Sequence, residues 1–185
     1  MIHSQDRSGW FGASDTHYIV GNWNTKTFRL WWLEKLGAPV QKFNNKYLSA
    51  GTNYEHAILD SLGFPIRKDA QIKMRKYRLR VNLDGDTQLA VYEVKTHRAE
   101  KPFKISKAYY EQIQVEMFAK GCTRGYFVAY GLKEEDYTNY FNPIDKSRRQ
   151  IIPVEYDGKW IDDVYLPKLK YLAECLKKGV FPYEA

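Results

Sequence analysis

Only two cysteines, Cys122 and Cys175, occur in 185 residues. Two thiols cannot build a disulfide framework or a four-ligand zinc site, and a reducing compartment is the simpler expectation. No apolar run approaches the roughly 18 residues that cross a bilayer, so no membrane association is expected. The opening Met1–Arg7 is polar and lacks the apolar stretch of a secretory signal. These absences together predict a cytoplasmic protein. There is no internal repeat, no low-complexity tract and no linker rich in Pro, Gly or Ser, so residues 1–185 are expected to form one domain. His17, His56 and His97 are scattered without metal-ligand spacing and read as structural residues.

What the chain has in excess is positive charge. With 29 Lys and Arg against 22 Asp and Glu, the formal charge is +7. That balance favours polyanionic partners without naming one. Aromatic residues are frequent, with 15 Tyr and 5 Trp, most of them expected in the core or at its rim. Trp31 and Trp32 read as core or as a subunit contact, and Cys122 as a small buried residue.

Hydrophobic spacing and end signals divide the chain. Ser14 can cap a short helix through His17 to Val20. Asn24 can cap a second, carrying Phe28, Trp31, Trp32 and Leu36 at helical spacing, with Gly37 as its stop. A third runs from about Lys46 to Leu62, with Tyr47, Tyr54, Ile58 and Leu62 on its inner side. Gly51 lies inside it at a cost in helix propensity, which marks a close approach of the backbone to something else. Residues 71–83 read as a strand in their second half, Leu83-Asp84-Gly85-Asp86 as a turn and residues 88–96 as a strand, together a hairpin. A helix is predicted over Lys107–Lys120 with Gly121 as terminator. Strands follow at Gly125–Tyr130 and Ile151–Tyr156. A last helix covers about Leu166–Lys178, with Pro167 in its first turn. This order predicts a mixed α/β domain around one sheet.

The chemistry concentrates at Asp84 and Glu93-Val94-Lys95. Side chains two apart on a strand share a face, so Glu93 and Lys95 point the same way. Asp84, at the end of the neighbouring strand, can fold back toward Glu93. Two converging carboxylates make an oxygen-rich site for Mg²⁺ or Mn²⁺, and the Val94 carbonyl could add another oxygen. A lysine beside it can orient a water nucleophile and neutralise charge on phosphate. By itself the pattern is also that of a cross-strand ion pair. Asp84-Gly85-Asp86 is equally good turn chemistry, and Asp86 is a competing ligand.

The surroundings extend the pattern. Glu55 falls on the third helix, within Gly51-Thr52-Asn53-Tyr54-Glu55, and Gln112 falls on the helix after the hairpin, within Gln112-Ile113-Gln114 with Met117 beyond. Arg7 and Gly12-Ala13-Ser14 stand near the N-terminus. In this order the residues resemble the PD-(D/E)xK nuclease core, a restriction-endonuclease-like α/β fold with a central mixed β-sheet flanked by helices. More narrowly, the set resembles the bacteriophage lambda exonuclease family, also called the YqaJ-type viral recombinase family. The matches span residues 7 to 117, and the strand Gly125–Tyr130 extends them. The signature's proline is absent, since Asn82-Leu83 precede Asp84, and the chain is shorter than the lambda enzyme.

The resemblance implies roles. Asp84, Glu93 and the Val94 carbonyl would hold Mg²⁺, with Mn²⁺ as a substitute. Lys95 would activate the water, Glu55 would be an accessory acid, and Gln112 would belong to the active-site surround. Arg7 and Ser14 would grip the 5′-terminal phosphate of the strand being cut. The implied activity is 5′→3′ digestion of one strand of linear double-stranded DNA in phage-type recombination. The implied partners are a single-strand annealing protein and, by resemblance, two further copies in a homotrimer, all in the cytoplasm of a bacterial host. Arg67, Lys68, Lys73, Arg75, Lys76, Arg78 and Arg80, with Lys95, Arg98, Lys101, Lys104 and Lys107, read either as a phosphate-tracking surface or as a solvated face with lysine edge protection. Two other functions fit the same residues: an endonuclease on the same core, such as a junction resolvase or restriction-like enzyme, and a non-catalytic DNA-binding protein.

Overall fold

The computed structural model describes residues 8–39 and 45–183. Its centre is a five-stranded sheet in the order β1-β2-β3-β4-β5. The strands are β1 (Arg67–Met74), β2 (Leu79–Asp86), β3 (Ala90–Arg98), β4 (Arg124–Leu132) and β5 (Arg149–Glu155). Only β3 and β4 run parallel; the other neighbours are antiparallel. The parallel pair requires a crossover, and α4 (Lys107–Lys120) supplies it. The mixed sheet flanked by helices agrees with the fold expected from the sequence.

Helices cover both faces. α3 (Lys46–Asp60) packs through Ala50, Tyr54, Ile58 and Leu59 into a cluster with Ala90, Tyr92, Val128 and Tyr130. α4 packs through Ile113 and Met117 into a second cluster with Val91 and Phe127. The alternation of β3, with Tyr92 in one cluster and Val91 in the other, puts Glu93 and Lys95 on the α4 side. The same second cluster takes in α2 (Lys26–Lys35), with Phe28, Trp31 and Trp32, and the C-terminal helix. Both tryptophans are core residues. The chain approaches that last helix through α5 (Gly158–Trp160) and a π-helical turn at Ile161–Tyr165. It then runs as α6 (Leu166–Lys178), where expected, with Gly179 in the left-handed region as its stop.

Two glycines record close packing. A Cβ on Gly51 would lie 3.2 Å from Thr96 Oγ1, so α3 approaches β3 where the sequence led us to expect a close contact. A Cβ on Gly125 would lie 2.9 Å from Ile113 Cδ1, so α4 lies tight on β4.

The middle of the chain departs from its expected layout. The reversal falls at Arg75–Tyr77, with Arg78 at φ 50°, and Asp84-Gly85-Asp86 lies within β2 rather than in a turn. Gly85 serves packing and not reversal: a Cβ there would meet Ile66 Cγ2 at 2.8 Å. The turn falls instead at Thr87–Leu89, between β2 and β3. A hairpin was expected; the sheet has a three-stranded meander. The reversal at residues 75–78 was hidden because its left-handed residue is an arginine, not a glycine.

Caps also shift. Thr25, not Asn24, caps α2, its side chain accepting from Phe28 N–H at 3.1 Å. Ser14 caps no helix: Ala13–Asp15 form a 3₁₀ turn leading into α1 (Thr16–Val20), and Asp15 accepts from Gly12 N–H at 2.8 Å. On α3, Tyr47 faces solvent, and the inner positions are Ala50 and Leu59 instead.

Candidate active site

The site begins with a parting of strands. β2 and β3 pair only at Gly85–Tyr92 and Asp86–Val91. Beyond that point the Asp84 carboxylate takes over from the backbone, accepting from Val94 N–H at 2.9 Å. In a strand the N–H and C=O of one residue point to the same edge, so the Val94 carbonyl is presented to Asp84's side. Farther along the same edge of β2, the N-terminal segment substitutes for β3. Phe11 N–H donates to Arg78 C=O at 2.7 Å, and Arg80 N–H donates to Phe11 C=O at 2.8 Å.

Between these two pairings opens a pocket of about 190 Å³. Arg80, Asn82 and Asp84 line it from β2, Gln112 and Glu116 from α4, and Trp10 to Ser14 from the N-terminal segment. The turn at Gly12–Asp15 is held from beneath. Buried Asp15 pairs with buried Lys35 at 2.7 Å and accepts from Trp31 Nε1 at 3.0 Å. Ser14, on this turn, is exposed at the mouth.

The charged groups converge as the strand alternation requires. Lys95 Nζ lies 2.7 Å from Glu93 Oε1 and 3.2 Å from Gln112 Oε1. Gln112 Nε2 donates to Glu93 Oε1 at 2.6 Å and to Glu116 Oε1 at 2.9 Å. Tyr109, one turn earlier on α4, presents its ring face to Lys95 Nζ at 4.5 Å from the centroid.

Electrostatics bind Glu55 into the same group. Burial first, then the charges of Glu93 and Asp69, push its carboxyl up to about 7. Burial, Glu93 and Glu55 raise Asp84 well above the usual carboxylate range. Burial, Glu93 and Asp84 do the same to Glu116. Burial works against the charge of Lys95, but Glu93 outweighs it and the ammonium is held above its ordinary range. Crowded carboxylates that suppress one another's ionisation are a donor set suited to a hard divalent cation. Asp84, Glu93 and the Val94 carbonyl therefore fit Mg²⁺ by the chemistry of their oxygens, with the Glu55 charge acting on them.

Asp84, Glu93, Val94, Lys95 and Gln112 thus lie together, with Ser14 across the pocket, while Glu55 acts on them through charge and groups most closely with His56 and Asp69. Arg7 lies outside the described residues. Asp86 is taken elsewhere: Arg67 engages it in a fork at 2.8 and 2.7 Å, and Lys120 Nζ lies 2.5 Å away. These cations hold its carboxyl low despite burial. Glu116, fully buried against Gln112, was absent from the sequence reading. The signal for it was its place one turn after Gln112 on α4. Trp10 and Asn82 join the site only through the pairing of the N-terminal segment with β2, and Arg80, expected only on a basic surface, lines the pocket with them.

No protein-family model matches the chain, and no curated protein matches it either. Solved structures do. An alkaline exonuclease, LHK-Exo, from Laribacter hongkongensis is 19% identical, with 93% of each chain covered and a TM-score of 0.66. In its complex with dAMP the same enzyme superposes with a TM-score of 0.71 at 18% identity, over 93% of this chain and 90% of that one. A phage-related exonuclease from Haemophilus somnus 129PT is 15% identical, with 92% of each chain covered and a TM-score of 0.59. The chain has the fold of these exonucleases.

Proposed function

We propose that the protein is a metal-dependent deoxyribonuclease of the phage recombination kind, digesting one strand of linear double-stranded DNA from its 5′ end. The observation that carries this reading is the convergence of Lys95 and Gln112 on Glu93, behind a pocket that Asp84 and Gln112 line and that the Ser14 turn also lines.

Asp84, Glu93 and the Val94 carbonyl would hold Mg²⁺, or Mn²⁺ in its place, with Glu55 as accessory acid. When bound, the cation supplies Lewis-acid polarisation of the phosphate and compensates the carboxylates' charge. The remaining work belongs to the side chains. Lys95, held charged by Glu93, is a fixed donor for an attacking water and a sink for charge developing on the phosphate. Gln112 bridges Glu93 and Glu116 and so fixes the rotamer of Glu93. Glu116, whose carboxyl burial and the charges of Glu93 and Asp84 push well above the usual range, adds a buried carboxyl whose ionisation is disfavoured.

The N-terminal turn sets polarity. Ser14 would donate to a terminal phosphate, and Arg7 would pair with it; the Asp15 charge beneath is compensated by Lys35. An end-binding pocket is of no use to an enzyme that cuts internally, which favours exonuclease over endonuclease. Arg75, Lys76 and Arg78, around Trp10 at a neighbouring cavity, supply sequence-indifferent phosphate contacts. The product would be a 3′ single-stranded tail, passed to an annealing protein in the cytoplasm of a bacterial host. By the same reading, residues 1–185 act as one domain within a homotrimer.

The experiment compares linear and closed circular duplex DNA with Mg²⁺. Release of nucleotides from linear DNA alone, lost in Lys95→Ala, is the expected result. Cutting of closed circles establishes the endonuclease instead, and binding without any release establishes a DNA-binding protein.

A further inference from the structure

Four of the five tryptophans belong to the core. Trp31 and Trp32 lie within its larger cluster, and Trp23 and Trp160 pack against it. Trp10 belongs to neither cluster, and no other aromatic ring stacks on it among the described residues. Its place is nevertheless fixed from both sides. Gly9 N–H donates to Lys35 C=O at 2.8 Å, and fully buried Phe11 pairs with Arg78 and Arg80. Trp10, between these anchors, stays half-buried.

Instead of core, Trp10 borders two cavities. One is the catalytic pocket. The other, of about 400 Å³, is lined also by Arg75, Lys76 and Arg78 from the reversal between β1 and β2, and by Glu174 and Lys177 from α6. Four cations there stand against one carboxylate. Arg75, Lys76 and Lys177 are exposed, and among the described residues none of them makes an ion pair, even with Glu174. Cations with a structural task in this sheet are paired: Arg67, Lys95 and Lys120 each hold a carboxylate oxygen at 2.5–2.7 Å. Arg78 ties the cavity to its frame, its Nη1 donating to Gly9 C=O at 3.4 Å.

We propose that this second cavity binds single-stranded DNA, with an unpaired base stacked on Trp10 and the flanking phosphates met by Arg75, Lys76, Arg78 and Lys177. An aromatic ring among cations holds a strand without regard to its sequence, because every base has a face to stack. A duplex would satisfy the cations but keeps its base faces inside, so the ring selects the unpaired strand. An anionic membrane would also attract the cations, but a concave cavity between α6 and the β1–β2 reversal admits a chain and not a plane. The phosphate contacts proposed above at this cavity thus belong to an unpaired strand, held across Trp10 from the catalytic pocket. That use rests on the nuclease reading; the binding does not.

Fluorescence anisotropy of the full chain without divalent metal tests it, with a short labelled oligo(dT) and an abasic strand of the same length as probes. The two carry the same phosphates and differ only in bases. The native protein should bind oligo(dT) at least about tenfold more tightly, the scale of one stacked base. Trp10→Ala should abolish that preference and Trp10→Phe should keep most of it; Trp10→Leu serves should Trp10→Ala unfold. Arg75→Ala combined with Lys177→Ala should weaken binding of both strands and flatten the log–log salt slope by roughly 0.7 per cation removed. Thermal melts establish that each variant is folded. Equal affinity of the native protein for the two strands makes this a merely charged surface and overturns the proposal. Unchanged binding in the folded Arg75→Ala, Lys177→Ala variant places the strand elsewhere and overturns it too. Cleavage does not enter the measurement, so a protein that binds oligo(dT) here and never cuts DNA refutes the function proposed above and leaves this site standing.

Discussion

The N–H of Val94 donates to the Asp84 carboxylate across 2.9 Å, at the point where β2 and β3 stop pairing. One carboxylate therefore closes the sheet and faces the pocket at once. The two roles separate in Asp84→Asn, whose amide oxygen still accepts from Val94 N–H while the charge is gone. We expect this variant to melt within a few degrees of the native protein, since a repulsion with Glu93 and Glu55 is also relieved. Nucleotide release should fall by about 10²–10³ or more, the scale for loss of one charge-stabilising group. Retained cleavage with intact folding removes Asp84 from the metal site.

The same crowding has a signature in pH. The Glu55 carboxyl titrates near 7 in the folded protein against an ordinary 4.5, so the folded state binds more protons than the unfolded state between those values. The stability this group contributes is complete below about 4.5 and lost as pH rises through about 7. Asp84 and Glu116 are shifted in the same direction. Asp86 and Asp136 are held low and act below this window. Metal-free protein should melt several degrees lower at pH 8 than at pH 5. Mg²⁺ should raise the melting temperature at pH 8 and do little at pH 5, and Glu55→Gln should flatten the profile. A metal-free profile that rises from pH 5 to pH 8 contradicts the crowding.

Much of this site could be read from the sequence because its key residues lie on strongly patterned elements. Glu93 and Lys95 share a face through strand alternation, and α4 spans Lys107–Lys120 as expected, with Gly121 as its stop. Asp84 was found but misplaced in a turn, because Asp-Gly-Asp is also turn chemistry; only the packing of Ile66 and Leu59 shows why that glycine is needed in a strand. Long-range pairings stayed hidden. Nothing local to Phe11 announces that it will bond β2 at Arg78 and Arg80, and that pairing builds half of the pocket wall. Glu116 escaped for a related reason: it gains its meaning from Gln112 one turn earlier and, through Gln112, from Glu93 on another element.

Asp86 separates structure from catalysis. Its carboxylate, 2% exposed, joins Arg67 on β1 to Lys120 at the end of α4. Asp86→Ala removes the partner of both cations, and the half-buried Lys120 bears most of the loss, about 1–3 kcal/mol. The melting temperature should drop by several degrees, at about 2–4 °C per kcal/mol for a chain of this size. Below the melt, activity with Mg²⁺ should stay within a few-fold of native, and the metal concentration for half-maximal rate should not move. A large shift in that concentration would make Asp86 a ligand after all.

Ser14 and Arg7 are assigned to the 5′ phosphate, and the assignment predicts a substrate dependence. Ser14→Ala removes one hydroxyl donor at the pocket, while Asp15 and Lys35 still hold the turn. It should slow digestion of 5′-phosphorylated ends about tenfold and of 5′-hydroxyl ends hardly at all, and Arg7→Ala should do the same more strongly. Single-turnover rates on the two kinds of end measure this. Equal slowing on both would refute the end-binding role.

Gly125 positions α4, and with it Gln112 and Glu116. A Cβ at Gly125 would lie 2.9 Å from Ile113 Cδ1 and 3.1 Å from both Ile113 Cγ1 and Met117 Sδ. Gly125→Ala must therefore lift the helix or force those side chains from their rotamers, at a cost of about 1–3 kcal/mol. The offending terminal carbon is missing in Ile113→Val, whose own cost is about 0.5–1.5 kcal/mol. If the close contact is what matters, the double variant should be more stable than the sum of the single losses predicts, by about 1 kcal/mol in a double-mutant cycle. Its cleavage rate should recover along with its stability, because Gln112 sits one residue before Ile113 and moves with it. A strictly additive cycle, or stability that recovers without the rate, would show that the packing of α4 on β4 does not set the geometry of the Glu93–Gln112 pair.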